Sequence, residues 1–153
     1  MNEASNPFSA AMRAIPCDLL SQSGKVFYSG RAAFSGRPAL YILGVNPGGD
    51  PGQMEEETIA SHTEWVSSVA PAEWSAYRDE RWKGKAPGRH GMQPRLLHMF
   101  DSIGLQPGSV PASNLIFVRS RREGEISADF ERLARLCWPF HKYVLECLRP
   151  RVV

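Results

Sequence analysis

The sequence predicts an α/β fold with a central, mostly parallel sheet, on three observations. Two short apolar runs, residues 39–45 and 113–118, alternate with segments of helical periodicity, the order that parallel strands joined by right-handed crossovers produce. Each run stops abruptly in turn residues or in charge, as a strand covered on both faces does at its carboxyl end. A long helical pattern then leads into Arg149-Pro150-Arg151-Val152-Val153, which reads as the start of a third strand.

At 153 residues the chain is long enough for one domain with a real core and too short for two. An apolar content of 42% and a charged content of 22% place it among soluble globular proteins. No apolar run approaches a membrane span, and Met1-Asn2-Glu3-Ala4-Ser5 lacks the basic and apolar parts of a secretory leader, so a cytoplasmic location and no membrane partner are expected. The three cysteines, Cys17, Cys137 and Cys147, form neither a CxxC pair nor a zinc spacing. No metal is expected, and Cys137 and Cys147 read as inert core thiols among apolar residues. A net charge of +2 excludes little; the placement of the charge matters more.

Asn6-Pro7 is a helix start, and Phe8 to Leu20 carries a helical pattern that Pro16 must break. Lys25–Tyr28 and Ala32–Phe34 read as short edge strands or extended loop. The run Leu40-Tyr41-Ile42-Leu43-Gly44 enters the turn Val45-Asn46-Pro47-Gly48-Gly49, in which Pro47 holds Asn46 extended and the glycines leave the backbone open to a flat ligand. Glu55, Glu56 and Glu57 read as the solvated opening of a helix to about Val69, with a second short helix from Ala72 to Arg81. Between Trp82 and Gln93 the chain is basic and irregular, an exposed loop carrying Lys83, Lys85, Arg89 and His90. Pro94 opens an amphipathic helix with Leu96, Leu97, Met99, Phe100 and Ile103 on its buried face and Gly104 as terminator. Ser113–Val118 is the second strand. Ser127 is placed to cap the last helix, which passes Pro139 and ends near Leu148.

If residues 39–45 and 113–118 are parallel neighbours, Asn46 and the cluster Arg119, Arg121 and Arg122 share the edge where open α/β sheets bind ligands. Asn114 lies deeper, where its amide offers two donors and an acceptor, the equipment for reading a base edge. Its bland alternative is a buried Asn satisfied by backbone. Both basic clusters suit phosphates, although each taken alone is more often a solvated patch. Trp65, Trp74, Tyr77 and Trp82 interleave with the charges and fit either helix packing or base stacking. His98 and His141 fall inside helices and read as structural. No GxGxxG or GxxxxGK[ST] is present, so no dinucleotide or P-loop site is expected.

Gly44-Val45-Asn46-Pro47-Gly48 resembles the first motif of the uracil-DNA glycosylase superfamily, closest to its mismatch-specific thymine/uracil and single-strand-selective branches, where it reads Gly-x-Asn-Pro-Gly. The likeness continues at Gln93-Pro94 and the helix through Phe100, at Ser113-Asn114-Leu115-Ile116, and at Pro139 to Val153, covering residues 38–153 in the family's order. It implies a single domain over residues 1–153, a three-layer αβα sandwich, and excision of uracil or a related pyrimidine from DNA by base flipping, without cofactor or metal. By the same resemblance Asn46 positions the attacking water, Gly44, Val45, Pro47 and Gly48 border the base, and Asn114 reads its edge. His90 stands where the family stacks an aromatic ring, with Trp82 more remote, and Gly48 in place of a bulky Tyr implies a roomier pocket. Lys83, Lys85, Arg89, Arg119, Arg121 and Arg122 would meet the nucleic-acid backbone. The family's last motif falls beyond Val153, which implies polypeptide continuing past that residue or a member that binds without cutting. The alternative function is a noncatalytic nucleic-acid or nucleotide-binding module on the same fold; an unrelated small-molecule hydrolase has less in its support.

Overall fold

The computed structural model of the chain describes residues 6–153, so Met1–Ser5 lie outside the described residues. The fold is mixed α/β, and its regular sheet has two strands, β1 (Ile42–Gly44) and β2 (Ala112–Asn114). They run parallel in the register Ile42↔Ala112, Leu43↔Ser113 and Gly44↔Asn114. Single bridges extend this pair on both sides. Leu40 pairs in parallel with Val152, where the Tyr41 amide donates to the Val152 carbonyl at 2.9 Å. On the other side Phe27 pairs antiparallel with Ser113, and the amides of Tyr28 and Lys25 donate to Ala112 and Phe117. Segment 151–152 therefore sits where the expected third strand belongs. Pro38, Pro111 and Pro150 bracket these short segments and, lacking donors, limit the ladders.

Phe27 and Tyr28 are consecutive on an extended segment and so point to opposite faces. Phe27 meets Phe8, Phe34 and Phe140, at ring separations of 4.3, 5.1 and 5.5 Å. These come from helix α1 (Pro7–Ala14), the 3-10 turn Arg31–Phe34, and the long C-terminal helix, Phe130–Leu148. Tyr28 instead stacks on Tyr77 at 5.8 Å. Residues of helical segments thus pack against both rings.

Asn6 caps α1 by accepting from the Phe8 amide at 2.9 Å, and Pro16 separates α1 from the single turn α2 (Cys17–Leu20), as the sequence predicts. Helix α3 (Ile59–Ser68) begins later than the three glutamates suggest, because Thr58 and Ser61 form a reciprocal capping box there. The next helix, α4, is reduced to Ala76–Asp79, and α5 spans Gln93–Ser102. Since α5 stops at Ser102, Ile103 falls at its cap and is 55% exposed, not buried. Ala32–Phe34 is helical, not a strand. Ser127 does not cap the last helix, α6; its hydroxyl donates to the Gly124 carbonyl inside a 3-10 segment, Glu123–Asp129, and α6 starts at Phe130. Along α6 the residues Leu133, Cys137, Phe140, His141, Val144 and Leu148 form one buried stripe that spans Pro139. Cys147, unlike Cys137, is exposed.

No helix among the described residues is long and apolar enough to cross a membrane. Close backbone approach fixes the segment beside β2: a Cβ on Gly24 would lie 2.0 Å from the Phe117 carbonyl oxygen. Gly24→Ala is therefore expected to cost about 1–3 kcal/mol as an overpacking defect, read as a lowered urea midpoint with an unchanged slope.

Candidate functional site

Asn46 lies two residues beyond β1, and its carboxamide is tied down by its hydrogens. Nδ2 donates to the Ser120 hydroxyl at 2.8 Å, the Pro47 carbonyl at 3.1 Å and the Val118 carbonyl at 3.2 Å. Ser120 Oγ is oriented in turn by donating to the Arg122 carbonyl at 2.9 Å. Asn46 Oδ1 accepts nothing from the described residues, so the side chain presents a fixed, unoccupied acceptor. The loop around it is zipped by ladder bonds from the amides of Leu115, Ile116 and Ser120 to the carbonyls of Gly44, Val45 and Pro47. Pro47 is buried, whereas Val45 and Gly48 are exposed and border open space.

Asn114 is buried opposite Gly44, and the glycine is what admits it, since a Cβ there would stand 2.2 Å from Asn114 Oδ1. The backbone does not satisfy this amide: Nδ2 is buried without a hydrogen-bond partner. A buried orphan donor costs about 1–3 kcal/mol and needs a reason. Its neighbour is the Tyr28 hydroxyl, which burial, then the nearby Tyr77 and Glu80, push far above the ordinary phenol range, so it stays protonated.

The arginines divide differently from the sequence expectation. Arg119 is buried and spent internally: Nη1 donates to the Gly48 carbonyl at 2.6 Å, Nε to Ser23 Oγ at 3.0 Å, and Nη2 to Glu57. Glu57 is thus an ion-pair partner and not part of a solvated helix start. Arg121 pairs with Asp50 at 3.1 Å. Arg122, Lys83, Lys85 and Arg89 are exposed and have no acidic partner among the described residues. The loop between Trp82 and Gln93 therefore carries three of the unpaired cations, Lys83, Lys85 and Arg89.

That loop is anchored by Glu80, a residue the sequence reading did not single out. Its two carboxylate oxygens each accept from Lys25 Nζ at 2.8 Å, and Oε2 accepts from the Trp82 indole at 2.7 Å. Lys25 also lies 3.5 Å from Glu57 and 5.6 Å from the centre of the Tyr28 ring. The buried Gln93 closes the loop, donating to the carbonyls of Ala76 and Glu80 and accepting from the half-buried His90 amide at 3.1 Å. Burial alone would raise the Glu80 carboxyl, but His62, Lys25 and Trp82 outweigh it and hold the group down to about 2. His62 Nε2 stands 3.9 Å from Glu80, too far for a hydrogen bond, and burial lowers its pKa despite that neighbour. The only sequence signal for this hub was a lysine in an apolar edge segment, Lys25-Val26-Phe27-Tyr28, which needs a buried carboxylate.

His141 is buried with Nε2 3.1 Å from the Leu115 carbonyl, and burial lowers its pKa; His98 is exposed. An open cleft of about 340 Å³ adjoins the same edge, lined in part by Ser21, Ser23, Pro51, Val118 and Arg119, and neither asparagine lines it. Among the described residues no cluster of His, Cys, Asp or Glu could hold a metal ion. No family model, curated protein or solved structure matches the chain.

Lys25→Ala leaves the Glu80 carboxylate buried and unpaired, and is expected to cost about 3–5 kcal/mol by urea unfolding. The pH profile has two stages. His62 and His141 are held neutral in the folded state, so stability falls as the unfolded chain takes up their protons below about 6.5. The depressed Glu80 contributes fully above its ordinary 4.5, and this contribution is lost as pH falls through that value toward 2. Thermal unfolding across pH 8 to 2 should show both declines, and in Glu80→Gln the lower one should be smaller, the depressed Asp50 and Asp79 carboxyls supplying what remains.

Proposed function

We propose that this chain is a DNA glycosylase of the uracil-DNA glycosylase type, on a three-layer αβα sandwich, hydrolysing the N-glycosidic bond of uracil or a related pyrimidine in a flipped-out nucleotide. The observation that carries the reading is the Asn46 carboxamide, whose hydrogens are consumed by Ser120, Pro47 and Val118 while Oδ1 stays open. A fixed amide oxygen can accept a hydrogen from water and aim its oxygen lone pair at the anomeric carbon. The C–N bond breaks, water oxygen bonds the sugar carbon, the base leaves with the electron pair, and the proton that the water loses passes to solvent while the departed base takes one up from solvent. An amide is too weak to take the proton outright, so most of the acceleration is electrostatic stabilisation of the separating charges. The orphan Asn114 donor beside Gly44 supplies a second group for the base, and the exposed Lys83, Lys85, Arg89 and Arg122 suit phosphates.

A noncatalytic binding module is the second reading, favoured by the same bonds: they make Asn46 a pin between the loops after β1 and β2. The two separate in one experiment with uracil-containing single- and double-stranded oligonucleotides, scored as alkali-labile abasic sites. Catalysis predicts that Asn46→Ala lowers single-turnover cleavage by about 10²- to 10⁴-fold while binding changes little. Salt-sensitive binding with no cleavage by the unaltered protein would select the module. In either case the triple change of Lys83, Lys85 and Arg89 to Ala is expected to reduce the salt slope of binding by about 2–3.

A further inference from the structure

Glu80 holds the root of the basic loop, and a buried imidazole that the reading above leaves unused stands against it. His62, on α3, is 5% exposed, its ring set between Trp65 at 5.8 Å and Trp74 at 5.9 Å. Nε2 faces Glu80 Oε1 at 3.9 Å, and Nδ1 is buried without a hydrogen-bond partner. The other charged groups that act on this ring are Lys25, from the edge segment, and Glu57, from the segment before α3. Glu80 in turn faces the Tyr28 and Tyr77 hydroxyls, which burial keeps protonated. One carboxylate is thus shared: both its oxygens accept from Lys25 Nζ, and Oε2 accepts from the Trp82 indole. Directly after Trp82 the backbone of Lys83 is left-handed, at φ 48°, a conformation that a residue with a side chain keeps only when its surroundings hold it.

We infer that His62 is a proton-operated latch on the basic loop: a proton taken up by its ring draws the Glu80 carboxylate toward α3, releases the Trp82 indole and frees the Trp82 end of the loop that carries Lys83, Lys85 and Arg89. A neutral imidazole 3.9 Å from a carboxylate makes a weak contact. An imidazolium instead makes a charge-assisted hydrogen bond of about 2.7–2.9 Å, so the two groups must close by about 1 Å. Lys25 can yield, because Glu57 stands 3.5 Å away as a second acceptor. The indole carries no charge and competes for the same oxygens against two cations, and Lys83 relaxes once it lets go. Gln93 still ties the far end to the Ala76 and Glu80 carbonyls, so the loop opens at one end only. Burial lowers the ring's pKa and the Glu80 carboxyl is held down to about 2, so the change falls on the acid side of 6.5 with the carboxylate still charged.

The consequence for binding rests on the reading that this loop meets phosphates; the latch itself does not. The test follows the four tryptophan indole NH signals by ¹⁵N NMR from pH 8 to 5, with Trp82 assigned through Trp82→Phe. The expected result is that the Trp82 signal shifts upfield along one titration curve whose midpoint matches that of the His62 ring in the same sample. His62→Gln should abolish this shift, and His141→Gln, which alters the other buried histidine, should keep it. A Trp82 signal that stays in place, titrates with a different midpoint from His62, or moves equally in His62→Gln overturns the inference. So does simultaneous loss of all four signals, which is global unfolding. Matching the midpoints uses the unaltered protein, so a His62→Gln that fails to fold leaves the test standing. In parallel, a fluorescent single-stranded oligonucleotide without uracil is expected to bind the unaltered protein about threefold more weakly than His62→Gln at pH 5.5, since a freed loop must be ordered again. A titrating Trp82 with no oligonucleotide binding, or with equal affinities in the two proteins, keeps the latch and removes this loop from nucleic-acid contact.

Discussion

The parallel pairing that sets Gly44 opposite Asn114 governs the rest of the site. Side chains alternate along a strand, so a slip of one residue would bring Ser113 or Leu115 against Gly44 and turn the Asn114 amide to the other face. Beyond the regular strands the same ladder continues through Leu115, Ile116 and Ser120, so the two loops leave the sheet already joined. Asn46 adds a side-chain link between them through Val118 and Ser120. A site assembled this way needs no folding on binding, which limits the entropy cost of ordering it.

Electrostatics then decide which charged side chains are spent inside the fold and which stay free on the surface. Lys25, Glu57, Glu80 and Arg119 form a largely internal set with two charges of each sign, and burying charges is tolerable only when each is paired. Spending Arg119 on Gly48, Ser23 and Glu57 fixes the loop after β1 but removes that guanidinium from any phosphate. Three unpaired cations, Lys83, Lys85 and Arg89, lie instead on the loop that Glu80 and Gln93 hold at its two ends. One buried carboxylate thereby fixes both the Tyr28 ring environment and the root of the basic loop.

Much of the fold was legible because burial leaves a periodic trace. The apolar runs at 39–45 and 113–118, the parallel pairing and the position of 151–152 all follow from that trace, as does the α6 stripe. Helix starts were less legible, since the Thr58 capping box outcompetes the acidic run before it, and a helix was expected to reach Ile103 where α5 ends at Ser102. At the site, the positions of Asn46 and Asn114 at adjoining strand ends could be read from residue type and spacing. The pairing of Arg119 with Glu57 and the hub at Glu80 could not, because their partners are separated by 62 and 55 residues and nothing local marks them. Tyr28 was hidden for the same reason: in sequence it is one aromatic in an edge segment, and only the sheet brings it to Asn114.

The central claim is that two amides from separate strand ends face one ligand. It is tested most directly by NMR of the protein carrying ¹⁵N-labelled asparagine, with an oligonucleotide containing a uracil nucleotide made resistant to cleavage by 2′-fluorination. The account predicts that the side-chain NH₂ signals of Asn114 and Asn46 both shift on binding, and that neither shifts with a control of the same length in which a baseless tetrahydrofuran residue replaces that nucleotide and binding is through the phosphates alone. Binding of the uracil oligonucleotide that leaves both amide signals where they were would contradict it.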